Sequence, residues 1–166
     1  MNKLIILRGN SGSGKTTVAG ELQKRFGNNT LLISQDTVRR CMLRTGDGKD
    51  TPALPLLKTL LQYGKAHCGV VILEGILIAD WYRPLFKTAK ELFGSEIYAY
   101  YFDIPFEETV KRHQTRPECR EFDEKAMRDW WKEKDYSDVL NEVSITADQD
   151  KESIVREIYE TVSHTV

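Results

Sequence analysis

Short apolar runs alternate with stretches of helical periodicity along the sequence. Several of the apolar runs have hydrophobic residues at consecutive positions, as expected for strands that are buried on both faces of a sheet. Between them, apolar residues recur every three or four positions, which indicates amphipathic helices. This alternation predicts a parallel α/β fold. The strand candidates are Leu4–Leu7, Thr30–Ile33, Val70–Leu73, Ile97–Phe102 and Val143–Thr146.

Length, charge and cysteine content narrow the class of protein. The 166 residues suit one domain spanning 1–166, and the net charge of −1 argues against a strongly basic nucleic-acid-binding protein. Cys41, Cys68 and Cys119 form no C-x-x-C pair, so reduced cytosolic thiols are expected rather than disulfides or a zinc site. The Leu4–Leu7 run is too short for a signal peptide or a membrane span. We therefore expect a cytoplasmic protein with no membrane partner.

The residues between the first strand candidate and the next helical stretch match the phosphate-binding motif G-x-x-x-x-G-K-[ST]. Its glycines let backbone N–H groups point at phosphate oxygens, and the N-terminus of the following helix adds positive potential. Lys15 is expected to bridge the β- and γ-phosphates of ATP, and the Thr16 hydroxyl to ligate Mg²⁺. The alternative is a flexible Gly/Ser turn, but the context favours nucleotide binding. The predicted nucleotide-binding residues here are Gly9, Asn10, Ser11, Gly12, Ser13, Gly14, Lys15, Thr16 and Thr17.

Two carboxylates lie at the ends of the next two strand candidates. Asp36 follows the second strand and Glu74 follows the third, at the sheet edge where open α/β folds bind ligands. Asp36 could accept the proton of an attacking hydroxyl and help to hold Mg²⁺, or it could simply cap the next helix. Glu74 could position Mg²⁺ as a Walker B acid or accept a hydrogen bond from a substrate hydroxyl. Both alternatives for Glu74 stay open.

Further candidates for the acceptor site lie near these carboxylates. Arg39 follows Asp36 by three residues, so a helix would place both on one face, where they could hold a hydroxyl and a neighbouring anion. Arg40, the next residue, is a further candidate for binding the acceptor. Trp81 and Tyr82 follow the end of the third strand candidate, and we expect them to line the acceptor pocket.

A basic segment follows the fourth strand candidate and a short helix. It reads KRHQTRPECR over residues 111–120 and includes Arg112 and Arg116. Basic residues at this spacing suit a lid, over about 111–128, that neutralises a phosphoryl group during transfer and excludes water. A solvated basic turn is the alternative.

These motifs resemble those of the P-loop nucleoside and nucleotide kinase-like superfamily, over essentially the whole chain. Ser34-Gln35-Asp36, followed by Glu74-Gly75-Ile76-Leu77, is similar to the uridine kinase pattern. That resemblance implies that Asp36 is the base and that Glu74 helps with Mg²⁺. It also implies a three-layer fold with helices on both faces of a five-stranded parallel sheet in the order 2-3-1-4-5.

A second branch of the superfamily shares other motifs with the chain. Asp36-x-x-Arg39, with Phe102-Asp103-Ile104-Pro105, Lys111-Arg112 and Arg116, is similar to the 5′-hydroxyl polynucleotide kinase domain and its zeta-toxin-like relatives. This resemblance implies that Arg39 binds near the acceptor and that Arg112 and Arg116 belong to the lid. The segment 146–150 resembles the adenine-contacting loop of small kinases, which implies that Ala147 and Asp148 contact the base.

The sequence therefore predicts an ATP- and Mg²⁺-dependent kinase that phosphorylates a hydroxyl of a small molecule. Lys15, Asp36, Arg112 and Arg116 are its predicted catalytic residues. A nucleoside is the first candidate for the acceptor, and a polynucleotide 5′-hydroxyl is the second. The alternative outside the kinases is a nucleotide-binding switch, or an ATPase, that performs no phosphate transfer to an acceptor.

Overall fold

The computed structural model describes residues 2–115 and 123–164. Five parallel strands form one sheet in the order β2-β3-β1-β4-β5, which confirms the predicted order. Each strand lies within two residues of its predicted position. The strands are β1 Lys3–Gly9, β2 Thr30–Ser34, β3 Val70–Gly75, β4 Ile97–Phe102 and β5 Glu142–Ile145.

Helices connect the strands and cover both faces of the sheet. A π-helical turn over Val38–Leu43 continues the short helix α2, a feature the sequence pattern does not predict. Within the described part of the chain, no helix has both the length and the apolar character needed to cross a membrane. The helices are α1 Lys15–Phe26, α2 Gln35–Thr37, α3 Ala53–His67, α4 Ala79–Phe93, α5 Phe106–Gln114, α6 Glu124–Asp129 and α7 Lys151–His164.

Consecutive residues of β1 face opposite sides of the sheet and join two separate cores. Leu4 and Ile6 pack with α3 and α4, whereas Ile5 and Leu7 pack with α1 and α7. All four side chains are fully buried. The consecutive apolar positions of this strand therefore correspond to a central strand that is covered on both faces.

Arg8 interrupts this apolar pattern with a charge that is completely buried. Its Nε and Nη2 donate to the Leu77 carbonyl oxygen at 3.0 and 2.8 Å. Its Nη1 lies 2.7 Å from Glu142 Oε1, and its Nη2 lies 3.0 Å from Asp135 Oδ2. A buried charge requires such partners, because removing it from water is costly. Arg8 therefore joins the end of β1 to the turn after β3, to the segment before β5 and to β5 itself.

Gly64 allows α3 to lie against the sheet. A Cβ atom at this position would come within 2.5 Å of Val71 Cγ2 on β3 and 3.0 Å of Leu31 Cδ2 on β2. Both neighbouring side chains pack in the same core. A larger residue at this point would separate the helix from the strands.

We predict opposite effects for two glycine-to-alanine substitutions within helices. Gly64→Ala should lower the free energy of unfolding by about 1–3 kcal/mol, because α3 must shift to relieve the overlap. Gly20→Ala in α1, where a Cβ atom meets nothing within 4 Å, should raise it by about 0.5–1 kcal/mol. Urea denaturation measures both values. Equal effects of the two substitutions would contradict this account of α3 packing.

Candidate active site

The motif at residues 9–16 forms the loop between β1 and α1. Gly9, Gly12 and Gly14 have φ angles of 151°, 76° and 99°, which favour glycine. The Lys15 side chain is almost completely buried, and its Nζ donates to the Asn10 carbonyl oxygen at 3.1 Å. The amine is therefore held over the loop, as a phosphate-binding lysine requires.

The Ser13 hydroxyl group is buried inside this loop. Within the described residues, its Oγ has no hydrogen-bond partner. Unpaired buried polar atoms are uncommon in folded proteins, and a ligand or a water molecule normally satisfies them. Together with the loop geometry, this unpaired hydroxyl supports a phosphate as the group that the loop accepts.

Helix α5 lies directly against the phosphate loop. Its backbone approaches so closely that a Cβ atom on Gly12 would lie 2.7 Å from the Thr109 carbonyl oxygen. From the same helix, Arg112 Nη1 donates to the Ser13 carbonyl oxygen at 2.9 Å, and its Nε bonds to Glu108 at 3.2 Å. The structure thus brings Arg112 to the loop. Arg116 and residues 116–122 of the predicted lid lie outside the described residues.

The Asn10 side chain does not point its polar atoms at the phosphate position. Its Nδ2 donates to the Lys132 carbonyl oxygen at 2.7 Å, and its Oδ1 accepts from the Lys132 N–H group at 3.0 Å. Both polar atoms of the Asn10 side chain are therefore already paired within the protein. Its amide group fixes the segment that follows α6.

A pocket of about 390 Å³ opens beside the phosphate loop. One wall consists of Ser13, Gly14, Thr17 and Arg112, and the other includes Ala147 and Asp148. The Thr146 hydroxyl group donates to the Asp148 carboxylate and holds the pKa of Asp148 below its usual value. The pocket has the position expected for a nucleobase, since it adjoins the loop that would hold the phosphates.

Thr16, in the first turn of α1, meets Glu74 near the carboxyl end of β3. Thr16 Oγ1 donates to Glu74 Oε2 at 3.1 Å, and the Glu74 side chain is almost fully buried. A hydroxyl and a carboxylate oxygen at this spacing suit a hard cation such as Mg²⁺, which takes its other ligands from water and phosphate. The described residues contain no cluster of three or more His, Cys, Asp or Glu side chains that could hold a metal without a nucleotide.

Asp36 forms ion pairs with both predicted arginines. Its Oδ1 lies 2.8 Å from Arg39 Nη2 and 2.9 Å from Arg40 Nε. The cap of α2 is Ser34 rather than Asp36, because Ser34 Oγ accepts from the Thr37 N–H group at 3.5 Å. The Asp36 side chain is 57% exposed, so it is open to a ligand. Among the described residues, Arg39 Nε is buried and lacks a partner.

The two aromatic residues predicted to line the acceptor pocket differ in position. Trp81 packs partly buried against the core, whereas Tyr82 is fully buried. The Tyr82 hydroxyl donates to Asp47 Oδ1 at 2.6 Å and accepts from Gln35 Nε2 at 2.7 Å. Burial raises the pKa of Tyr82 far above its usual value, and the Asp47 carboxylate raises it further. In this structure Tyr82 supports the residues beside Asp36 from within the core and does not reach the surface.

Sequence reasoning did not identify several residues that organise the site. They are polar side chains that bond to residues distant along the chain, and two of them, Arg8 and Gln35, are buried. For Arg8, an available indication was the single charge that interrupts the apolar run before the loop. For Gln35, the indication was its position beside the proposed base. These residues are Arg8, Gln35, Asp47 and Asp135.

The fold and the glycine-rich loop define a P-loop protein with the α/β architecture of P-loop NTPases. A family model described as AAA domain matches residues 4–134, and the chain belongs to this family. No curated protein matched the sequence.

Solved structures share the fold at low sequence identity. An APS kinase from Mycobacterium tuberculosis, in complex with AMPPNP and APS, is 20% identical with a TM-score of 0.69, and the alignment covers 98% of each chain. The tunicamycin resistance protein of Deinococcus radiodurans is 19% identical with a TM-score of 0.70, covering 99% of this chain and 98% of its own. Shikimate kinase from Acinetobacter baumannii, with shikimate, is 19% identical with a TM-score of 0.59, covering 100% and 96%.

We predict that Gly12→Ala weakens binding of AMPPNP by about tenfold or more, because the added Cβ atom must displace either α5 or the loop. Gly27→Ala is the matched control, since Gly27 also has a positive φ of 80° but its Cβ atom would meet nothing within 4 Å. Both substitutions should destabilise the fold through backbone strain. Isothermal titration calorimetry should find the affinity of the control within about twofold of the original. An equal loss of affinity in both variants would show that backbone strain, and not overlap with α5, weakens the binding of AMPPNP.

Proposed function

We propose that this protein is an ATP-dependent kinase that transfers the γ-phosphate to a hydroxyl group of a small, nucleoside-like molecule. The observation that carries the proposal is the arrangement of a P-loop, the Thr16–Glu74 pair and Asp36 at three neighbouring strand ends. Ser34, two residues before Asp36, pairs in register with Glu74. An acceptor bound between these groups would meet the terminal phosphate of the nucleotide.

The residues of the chain divide the chemistry among themselves. Lys15 binds the β- and γ-phosphates and stabilises the charge that develops on the transferred group. Thr16, directly, and Glu74, directly or through water, would hold Mg²⁺, which when bound neutralises phosphate charge. Asp36 orients the acceptor hydroxyl and accepts its proton as the oxygen attacks phosphorus. Arg112 approaches the phosphates from α5, and Arg116 is proposed to act with it.

The base of ATP is proposed to lie in the pocket beside Ala147 and Asp148. A base bound in this pocket, at the end of β5, would lie on the far side of the loop from Asp36, which follows β2. The APS kinase and shikimate kinase that share the fold are named for small acceptors. The similarity of Ser34-Gln35-Asp36 and Glu74-Gly75 to the uridine kinase pattern supports a nucleoside-like acceptor. Arg39 and Arg40, which flank Asp36, are proposed to orient it.

We predict that wild-type protein releases ADP from ATP faster in the presence of an acceptor. The panel should hold nucleosides, small polyols and sugars, and a 5′-hydroxyl oligonucleotide. Stimulation by the oligonucleotide alone would instead support polynucleotide 5′-hydroxyl kinase activity. ADP release that no acceptor changes would support the ATPase alternative and contradict the proposal.

Asp36→Asn should lower acceptor-dependent ADP release by about 10²–10⁴-fold, the range that loss of a general base produces. The affinity for AMPPNP should stay nearly unchanged, because the ion pairs of Asp36 are with Arg39 and Arg40 of the same helical segment. Asp50→Asn, an exposed aspartate of the following loop, is the matched control and should keep full activity. Full activity of Asp36→Asn would exclude Asp36 as the base.

Glu74→Gln should raise the Mg²⁺ concentration needed for half-maximal activity, because an amide attracts the cation and its waters less than a carboxylate does. The measurement is the rate of ADP release against free Mg²⁺ at saturating ATP. A lower maximal rate with an unchanged Mg²⁺ requirement would contradict a metal role. That outcome would favour the alternative in which Glu74 binds the acceptor hydroxyl.

A further inference from the structure

A four-residue segment between α6 and β5 contacts both halves of the proposed site. This bridge segment, residues 132–135, begins at the phosphate loop and ends at the N-terminus of α4. At its first residue, the backbone N–H and C=O groups of Lys132 both pair with the Asn10 amide. Two hydrogen bonds to one planar amide fix orientation as well as distance. The first end of the segment therefore moves with the loop.

The other end of the bridge segment is fixed by Asp135. Its Oδ2 accepts from the Ala79 N–H group at 2.8 Å and from Arg8 Nη2 at 3.0 Å. Its own backbone N–H group donates to the Tyr101 hydroxyl at 3.0 Å. The carboxylate is only 22% exposed, so these contacts are partly shielded from water.

Helix α4 depends on this carboxylate for its cap. Ile78 occupies the N-cap position and offers no side-chain hydrogen bond. The preceding residue, Leu77, is fully buried with a φ of 46°, a conformation that is unfavourable for a branched side chain. A carboxylate at a helix N-terminus satisfies free N–H groups and interacts favourably with the helix dipole. Asp135 supplies from a distant segment what Ile78 lacks.

The capped turn leads directly from Glu74 to α4. Arg8 donates two hydrogen bonds to the Leu77 carbonyl oxygen within this turn. The same guanidinium group also contacts Asp135 of the bridge segment. Arg8 immediately precedes the loop residue Gly9, so these contacts are anchored next to the phosphate loop. The turn is thus held by Arg8 and Asp135, both of which are connected to the phosphate loop.

We propose that the bridge segment couples nucleotide binding at the phosphate loop to the geometry of the turn at residues 75–79, with Asn10 and Asp135 as positioning residues. Occupation of the loop orders Asn10, which steadies Lys132 and, through Asp135, the start of α4. The turn follows Glu74 on the acceptor side, so that consequence for the acceptor rests on the proposed function. The coupling itself requires nucleotide binding only.

Hydrogen–deuterium exchange with and without MgAMPPNP tests the coupling. In the wild-type protein, the nucleotide should slow exchange in peptides covering residues 76–82 by about tenfold, which is a typical size for the coupling between two sites. In Asp135→Ala, AMPPNP should still bind, but this protection should disappear. Asn10→Ala breaks the other end of the bridge segment and should also remove it, which keeps the test available if Asp135→Ala fails to fold.

Two further variants separate positioning from general destabilisation. Asp135→Asn keeps an oxygen acceptor for the Ala79 N–H group and should restore most of the protection. Asp138→Ala is the matched control, because it removes a carboxylate from the same region that pairs with Arg83 of α4 at 2.7 Å, on the exposed surface. It should leave the protection intact. Protection that persists in Asp135→Ala, or that is lost equally in Asp138→Ala, would overturn the proposal.

Failure of the proposed coupling can be distinguished from failure of the proposed function. If AMPPNP binds and protects residues 76–82 but no acceptor stimulates ADP release, the coupling stands and the kinase assignment fails. If acceptors stimulate release but AMPPNP leaves these residues unprotected, the coupling fails and the kinase assignment stands. If the coupling and the kinase assignment are both correct, Asp135→Ala should raise the KM for the acceptor by about tenfold and leave the KM for ATP nearly unchanged.

Discussion

The buried guanidinium group of Arg8 is the interaction on which the arrangement of the site depends. A fully buried cation is stable only with close partners, since the loss of hydration must be offset by charge pairing and hydrogen bonds. Its partners come from the turn after β3, the segment before β5 and β5 itself. Because Arg8 immediately precedes Gly9, the requirement to satisfy one charge also positions these segments around the phosphate loop.

The features that could be predicted from the sequence depend on local patterns. The strands follow from consecutive apolar residues, and the phosphate loop from its glycine spacing beside a strand and a helix. The contact between Asp36 and Arg39 follows from a separation of three residues, and the structure shows it at 2.8 Å. The strand order follows instead from the family resemblance, since crossover connections are not encoded in any one segment.

The features that could not be predicted join residues that are distant along the chain. Arg8 and its carboxylate partners are separated by 127 and 134 residues, and no periodicity links them. The Asn10 amide lies in the loop motif by sequence but binds Lys132, 122 residues away. Tyr82 is a different case. It shares the helical stripe of Leu85, Phe86 and Ala89 on α4, so periodicity alone could have indicated that it is buried.

The strand order also explains why a connection across the site is needed. The pocket beside Ala147 lies at the β4–β5 side of the sheet, whereas Asp36 and Glu74 lie at the β2–β3 side, with β1 and its loop between them. Ligands on the two sides would share only the phosphate being transferred, and in-line transfer requires both to be held within a narrow range of geometry. A sheet provides rigidity along its hydrogen bonds but leaves the turns at its edge free to move. Arg8, Asn10 and Asp135 join those turns to each other. We therefore expect them to restrict movement of the two sides of the site relative to each other, which would disturb the geometry of phosphoryl transfer.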